Sequence, residues 1–233
     1  MPEHDEIRLA SIPALEARLE GELAIPEAPI GLVIFAHGSG SSRHSPRNRY
    51  VAQSLRSSGR LATLLVDLLS EAEGKEDLRT GRLRFDVELL AGRVLAAVAW
   101  ARDDARVGAL PIGYFGASTG AAAALIAAAT RPDDVAAIVS RGGRPDLAGP
   151  RALVLVRAPT LFIVGGEDHL VLDLNREARK LLHVESQLDV IPGASHLFEE
   201  PGALEQVARR AASWFLHWLG SRPTEEVRHA GRS

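Results

Sequence analysis

The sequence predicts an α/β protein whose mostly parallel central sheet of about eight strands is covered by helices on both faces. Continuous apolar runs, of which GLVIFAHG at 31–38 is the first, are typical of strands buried on both faces. Helical segments follow these runs repeatedly, and strand–helix repeats form parallel sheets. Two segments at the start, 6–12 and 14–25, instead alternate apolar and polar residues. We therefore expect an antiparallel pair of strands at one edge of the sheet.

The order of the other elements follows from the same patterns. Ser45 and Pro46 provide an N-cap and a first-turn proline, which predict a helix from 46 to about 58. Residues 70–82 are polar and predict a loop, and the connection between 143 and 160 is too short for a large lid domain. Further strands are predicted at 60–69, 111–118, 135–143 and 160–168, with a strand and loop at 186–196, and further helices at 84–103, 119–130, 170–183 and 202–219.

The chain shows no repeat or linker, so we expect a single domain over residues 1–219 and a polar tail at 220–233. Hydrophobic residues make up 46% and charged residues 24%, as in globular proteins, and the net charge of -3 provides no basic field for nucleic acid. The first residues lack the basic and apolar regions of a signal peptide, and the absence of cysteine fits a reducing compartment. We expect a cytoplasmic protein without membrane or nucleic-acid partners, either a monomer or a small homo-oligomer.

Chemically reactive side chains follow the predicted strands at their carboxyl ends. Ser118 lies in a G-x-S-x-G pattern at the end of the strand at 111–118, and Asp168 and His196 follow two later strands. Ligands of open α/β sheets bind beyond the carboxyl ends of the strands. Since those ends meet at one edge, the serine, the acid and the histidine are expected to converge.

Four short motifs stand at the ends of successive predicted strands: HGSG at 37–40, GASTG at 116–120, GGED at 165–168 and GASH at 193–196. With these motifs the chain resembles an α/β-hydrolase over residues 6–219, nearest to the dienelactone hydrolase-like branch. The resemblance implies the α/β-hydrolase fold. Two stretches, HGSGSSRHSPRNR and SRGGRPDLAG, are similar to a subgroup that is sometimes attached to a phosphoribosyltransferase-like domain, which we do not expect within this sequence.

The resemblance implies that Ser118 attacks the substrate, that His196 takes the serine proton and that Asp168 orients the histidine. The backbone N–H groups of Ser39 and Thr119 are expected to form the oxyanion hole, beside the positive end of the helix after Ser118. The best-known dienelactone hydrolases use a cysteine nucleophile, whereas this chain has none and resembles a serine subgroup. The expected reaction is hydrolysis of small carboxylic esters or lactones through an acyl-serine, without a cofactor or a metal ion.

Several alternatives stay open at this point. Glu167 is adjacent to Asp168, and Asp146 follows the preceding strand, so either is a rival for the triad acid. His37 is expected to pack beneath the oxyanion loop rather than to act as a base. The same triad also suits cofactor-free perhydrolase chemistry or phosphoester hydrolysis, and a non-catalytic binding module with the hydrolase fold is a further alternative.

Arginines are concentrated in two predicted loops beside Ser118. The guanidinium group forms paired hydrogen bonds with carboxylates and phosphates, so these arginines predict a preference for anionic substrates. An ester with a carboxylate on its acyl side would test this preference. The alternative is a solvated rim of ion pairs. The predicted substrate-binding residues are Arg43, Arg47, Arg141 and Arg144, with Arg49 in the same region.

Overall fold

The computed structural model describes residues 5–220, without the side chains of residues 58 and 59. Its strands are β1 (Glu6–Ala14), β2 (Ala17–Ile25), β3 (Gly31–Ala36), β4 (Leu61–Val66), β5 (Ile112–Ala117), β6 (Ala137–Arg141), β7 (Thr160–Gly165) and β8 (Ser186–Ile191). They form one eight-stranded sheet in the order β1-β2-β4-β3-β5-β6-β7-β8. The pairs β1–β2 and β2–β4 are antiparallel, and every other pair is parallel. The mostly parallel sheet with an antiparallel edge is therefore confirmed.

Helices cover both faces of this sheet. They are α1 (Pro46–Gly59), α2 (Glu71–Thr80), α3 (Val87–Arg102), α4 (Thr119–Thr130), α5 (Gly149–Leu155), α6 (His169–Leu181) and α7 (Ala203–Gly220), with single 3-10 turns at Leu83–Phe85, Pro132–Asp134 and Pro145–Ala148. One core, against α1 and α7, contains alternate strand residues such as Val33 and Phe35, and the other, against α3, α4 and α6, contains Leu32 and Ile34.

The N-terminal strands form the hairpin that their alternating pattern predicts. β1 and β2 pair in register from Glu6 with Ile25 to Ala14 with Ala17. The second strand starts later than predicted because Leu15 adopts a positive φ of 50° in the turn between the strands. Alternate residues face the core, as the burial pattern of β1 shows.

The prediction of a loop over the polar segment 70–82 is wrong, because most of this segment forms α2. A capping box starts the helix: the Ser70 N–H donates to Glu73 Oε2 at 2.7 Å, and the Glu73 N–H donates to Ser70 Oγ at 3.3 Å. Gly81 ends it in the left-handed conformation, with φ 64°. Asp77 is the one buried residue of this helix, so the segment lacks the apolar periodicity by which helices are recognised.

The connection between β6 and β7 contains the turn Pro145–Ala148 and the short helix α5, and no large lid interrupts the described residues. The predicted tail at 220–233 lies, apart from Gly220, outside the described range. Between residues 5 and 220, none of the helices has both the length and the apolar character to cross a membrane.

Candidate active site

Ser118 occupies a sharp turn between β5 and α4. Its φ is 51° and its ψ is -120°, a strained conformation for a residue with a side chain. The turn is possible because its neighbours are small. A Cβ on Gly120 would lie 2.2 Å from the Ala36 carbonyl oxygen, and one on Gly116 would lie 2.4 Å from the Ala121 Cα. Both glycines are therefore required by close backbone approach.

The end of β6 and the loop after it hold the backbone of Ser118 from both sides. The Ser118 N–H donates to the Arg141 carbonyl oxygen at 3.2 Å, and the Arg144 N–H donates to the Ser118 carbonyl oxygen at 3.1 Å. Asn175, fully buried on α6, supports this loop, because its Nδ2 donates to the Gly143 carbonyl oxygen at 2.9 Å. Asn175 was not predicted from the sequence, because its 32-residue separation from Gly143 leaves no local signal for the contact.

His196 and Asp168 are directly hydrogen-bonded. His196 Nδ1 lies 2.6 Å from Asp168 Oδ2, and since an ionised carboxylate only accepts, Nδ1 is the donor. In the neutral imidazole this tautomer leaves Nε2 as a proton acceptor. The His196 ring packs on the loop that holds Ser118: a Cβ on Gly142 would lie 3.5 Å from ring atoms Cε1 and Nδ1. The predicted serine, acid and histidine thus meet at one edge of the sheet.

The rival acids have other partners. Asp146 accepts two hydrogen bonds from the Arg144 guanidinium, at 2.9 and 2.8 Å. These bonds raise the pKa of Arg144 above its ordinary value. Glu167 is 64% exposed at its side chain and lies 3.9 Å from His169 Nε2. Of the three acids considered, Asp168 is the one hydrogen-bonded to His196.

The predicted oxyanion donors lie on either side of Ser118. Thr119 is the first residue of α4, where a helix leaves its N–H groups without intrahelical partners. Ser39 follows Gly38, and a Cβ on Gly38 would lie 3.0 Å from the Ser118 Cβ. The loop after β3 therefore passes directly over the serine.

His37 lies beneath this loop, as predicted, and both of its ring nitrogens are occupied. Nδ1 lies 2.9 Å from the Gly38 carbonyl oxygen, and the Leu68 N–H lies 3.0 Å from Nε2. A neutral ring satisfies both contacts, with Nδ1 donating and Nε2 accepting. Burial, opposed by the Gly38 hydrogen bond and the charge of Asp67, lowers the pKa of His37 below its ordinary 6.5.

This buried neutral histidine predicts a loss of stability in acid. As the pH falls below 6.5, His37 becomes protonated more readily in the unfolded chain than in the folded chain, where its pKa is lower. The free energy of unfolding therefore falls as the pH decreases. The slope from one proton is at most about 1.4 kcal/mol per pH unit. Urea unfolding between pH 5 and 8 should show that the free energy of unfolding depends less steeply on pH in His37→Gln than in wild type. The exposed His183→Gln control should keep the wild-type slope, and equal slopes in wild type and His37→Gln would contradict the assignment.

The five arginines predicted to lie around the site (the rim arginines) have different environments. Arg43 is bound by Asp67 and by Glu20, whose Oε2 lies 2.6 Å from Arg43 Nη2, and Arg144 is bound by Asp146. The prediction that these arginines lie in two loops is wrong for three of them: Arg47 and Arg49 belong to α1, where they pair with Glu199 and Glu22, and Arg141 ends β6.

Arg141 differs from the other rim arginines because no carboxylate contacts it within the described residues. It is 8% exposed, and its Nη2 lies 3.5 Å from Asn48 Oδ1. Its Nε and Nη1 are buried without a hydrogen-bond partner in the described part of the chain. The guanidinium carbon lies 5.9 Å from the Phe198 ring centre. Burial and the charge of Arg47 lower the pKa of Arg141 to about 10, so the group is still positive at neutral pH.

Comparisons with known proteins agree with the fold. The model of the dienelactone hydrolase family matches residues 20–221. A crystal structure of a dienelactone hydrolase from Anabaena variabilis is 55% identical, with a TM-score of 0.89, over 92% of this chain and 98% of that one. A dienelactone hydrolase-like promiscuous phosphotriesterase from metagenomic libraries has the same fold, with a TM-score of 0.74 at 19% identity over 92% and 98% of the two chains.

Longer relatives also exist. Two Mycobacterium tuberculosis proteins, which carry the name of proposed phosphoribosyl transferases, are 55% identical over 205 residues. The match covers 88% of this chain and 45% of each relative, so the chain spans less than half of their length.

Proposed function

Because the chain belongs to the dienelactone hydrolase family, we propose that it is a serine hydrolase that cleaves small carboxylic esters or lactones through an acyl-serine. The observation that carries this proposal is the 2.6 Å contact between His196 Nδ1 and Asp168 Oδ2 at the edge where Ser118 occupies its strained turn. A serine hydroxyl is a poor nucleophile at neutral pH and needs such an oriented base. The Anabaena relative, 55% identical over nearly its whole length, supports the hydrolase chemistry.

In the proposed reaction, Ser118 Oγ attacks the carbonyl carbon while its proton passes to His196 Nε2. The N–H groups of Ser39 and Thr119 donate to the oxyanion that forms, and the charge of Asp168 stabilises the imidazolium. Collapse of the tetrahedral intermediate breaks the ester bond, and the departing alkoxide takes the proton from His196. Water, deprotonated by the same histidine, then attacks the acyl-serine. The bond from the carbonyl carbon to Ser118 Oγ breaks, Oγ takes the proton back from His196, and the carboxylic acid is released.

A substrate panel separates this proposal from its rivals. The panel contains p-nitrophenyl acyl esters, an aryl lactone, a phosphotriester and a peracid-formation assay with acetate and hydrogen peroxide. The proposal expects the carboxylic ester or the lactone to have the highest kcat/KM, since the oxyanion donors flank a carbon-centred intermediate. A phosphotriester as the best substrate would assign to this chain the activity named for the metagenomic neighbour. Turnover of none of these compounds would favour a non-catalytic module.

We assign the proposed anionic preference to Arg141, because Arg43, Arg47 and Arg144 all contact carboxylates. Arg141 lies on the His196 side of Ser118, since its carbonyl oxygen accepts from the Ser118 N–H and the next residue, Gly142, packs on the His196 ring. His196 protonates the departing oxygen, so the leaving group lies on this side. An anion that reaches Arg141 would therefore belong to the alcohol part of the ester.

The prediction compares the acetate esters of hydroxybenzoate and its neutral carboxamide. Wild type should prefer the carboxylate by about 10- to 150-fold in kcat/KM, the size of a charge-assisted hydrogen bond. Arg141→Gln should remove the preference, while Arg176→Gln, an exposed arginine on α6, should keep it. The preference should persist at about 0.5 M salt, where long-range attraction is screened. No preference in wild type at any salt concentration would exclude Arg141 from substrate binding.

A further inference from the structure

A cleft of about 500 Å³ opens beside the oxyanion loop. Gly38 and Ser39 form one wall, and the Gly38 backbone lies against Ser118. The opposite wall comes from α2, which contributes Gly74 and Leu78. The cleft therefore lies between α2, which the sequence did not predict, and the loop that packs on the serine.

The cleft lies on the opposite side of Ser118 from His196. In the sheet, β5, which Ser118 directly follows, lies between β3 and β6. The cleft extends over the ends of β3 and β4, since it includes the loop after β3 and Asp67 and Leu69 after β4. The His196 ring instead packs over Gly142, directly after β6. The two sides of the serine are therefore structurally distinct.

This asymmetry determines which part of an ester enters the cleft. The leaving group must lie near His196, because that histidine donates the proton to the departing oxygen. The acyl group is the other substituent of the carbonyl carbon, so it points away from His196. With the carbonyl oxygen at the N–H groups of Ser39 and Thr119, the acyl group extends into the cleft.

Apolar side chains give the cleft its affinity for hydrocarbon. Leu69, Leu78 and Leu90 line it, and Leu78 is 81% exposed at the rim. An exposed large apolar residue beside a concave site is a common feature of ligand-binding grooves. An acyl chain in the cleft would cover Leu69 and Leu78 and remove their apolar surface from water, whereas Leu90 is already buried.

Most charged side chains of the cleft are paired with one another, and Glu71 Oε1 lies 2.6 Å from the ammonium group of Lys75, which does not line the cleft. Arg43 binds Asp67 and Glu20, and Arg84 Nε lies 2.6 Å from Asp77 Oδ2. Among the lining residues four carboxylates face two guanidinium groups: Glu20, Asp67, Glu71 and Asp77 against Arg43 and Arg84. A carboxylate on the acyl group would meet an excess of negative charge and no unpaired arginine. The geometry thus opposes the acyl-side carboxylate that the sequence analysis expects.

We propose that this cleft is the acyl subsite, and that it selects neutral, apolar acyl groups longer than acetyl. The inference rests on the proposed hydrolase function and names the substrate class for that same site. Each added methylene that enters the cleft should raise kcat/KM about fourfold, the free-energy gain of burying one such group. Acyl groups that end in a carboxylate should be cleaved at least about tenfold more slowly than neutral groups of equal length.

Gly74 and Gly92 provide a matched pair of variants. Both are helical glycines around which a Cβ would meet no atom within 4 Å, so neither substitution clashes with the backbone. Gly74 lines the cleft on α2, whereas Gly92 lies exposed on α3 and is absent from the lining. A phenylalanine at Gly74 would fill the cleft, and one at Gly92 would point into solvent.

The experiment measures kcat/KM for p-nitrophenyl acetate, butyrate, hexanoate and hemisuccinate. Wild type should prefer butyrate to acetate by about 15-fold, the gain from two buried methylenes, and should discriminate against hemisuccinate. Gly74→Phe should abolish the preference for the longer chains, and Gly92→Phe should retain it. Cleavage of esters without a chain-length preference, or with one that Gly74→Phe does not change, would overturn the acyl subsite alone. Cleavage of no ester would overturn the hydrolase proposal as well.

Discussion

Replacing Ser118 with alanine is expected to lower kcat for ester hydrolysis by about 10³-fold or more. The expectation follows from the strained turn with φ 51°, which projects this side chain beyond β5 between the oxyanion loop and His196. Alanine has the same Cβ and removes only the hydroxyl, so the backbone strain and the small-residue packing are unchanged. The comparison is made under saturating p-nitrophenyl butyrate with both proteins at equal concentration.

Two controls make the Ser118 result interpretable. Circular dichroism and thermal unfolding should be the same for Ser118→Ala and wild type, which would show that the turn at Ser118 still folds. Ser57→Ala, an exposed serine on α1, should keep full activity. Turnover of Ser118→Ala close to the wild-type value would remove the serine from the mechanism.

The second large effect is expected from His196→Ala. Without the base, the serine proton has no acceptor, and kcat should fall about as far as in Ser118→Ala, because the two residues act as a unit. In wild type, kcat/KM for a neutral ester should rise with pH across about pH 5 to 8, the range in which histidines change charge. The rise reflects the neutral imidazole that accepts the proton.

The pH profile of the variants tests the same step. His196→Ala should lack the rising limb, whereas His183→Ala, an exposed histidine before β8, should retain it. A flat wild-type profile for a stable substrate would argue against a histidine base. A rising limb that survives in His196→Ala would assign the titration to another group.

The main architecture could be predicted because its elements carry strong periodic patterns. The buried strands read as continuous apolar runs, the N-terminal hairpin alternates, and α4 occupies the predicted residues 119–130. Strand ends were less predictable. β3 ends at Ala36 rather than at 38, because His37 turns beneath the oxyanion loop and Gly38 approaches Ser118.

α2 was missed because ion pairs rather than apolar packing anchor it. Glu73 Oε1 lies 2.6 Å from Arg93 Nη2, and Asp77 pairs with Arg84 at the same distance. Such contacts leave no hydrophobic stripe in the sequence. A local signal did exist, since Ser70 and Glu73 have capping-box spacing and Gly81 supplies the C-terminal stop.

The site was predictable to the extent that parallel strands bring their carboxyl ends together. That rule predicts the convergence of the serine, acid and histidine without any knowledge of side-chain contacts. The arginines were not predictable in this way. The partners of Arg43, Glu20 and Asp67, lie more than twenty residues away in the sequence, so the sequence cannot show that Arg43 is neutralised and Arg141 is not.

Covalent labelling with an alkyl fluorophosphonate tests the central claim most directly. The probe reacts with a serine that a neighbouring base activates, and it requires no knowledge of the natural substrate. Intact-mass measurement should show one adduct per chain, and peptide mapping should place it on Ser118. Labelling should be lost in Ser118→Ala and strongly slowed in His196→Ala. An unlabelled wild-type chain, or an adduct that persists in Ser118→Ala, would contradict the assignment of Ser118 as the activated nucleophile.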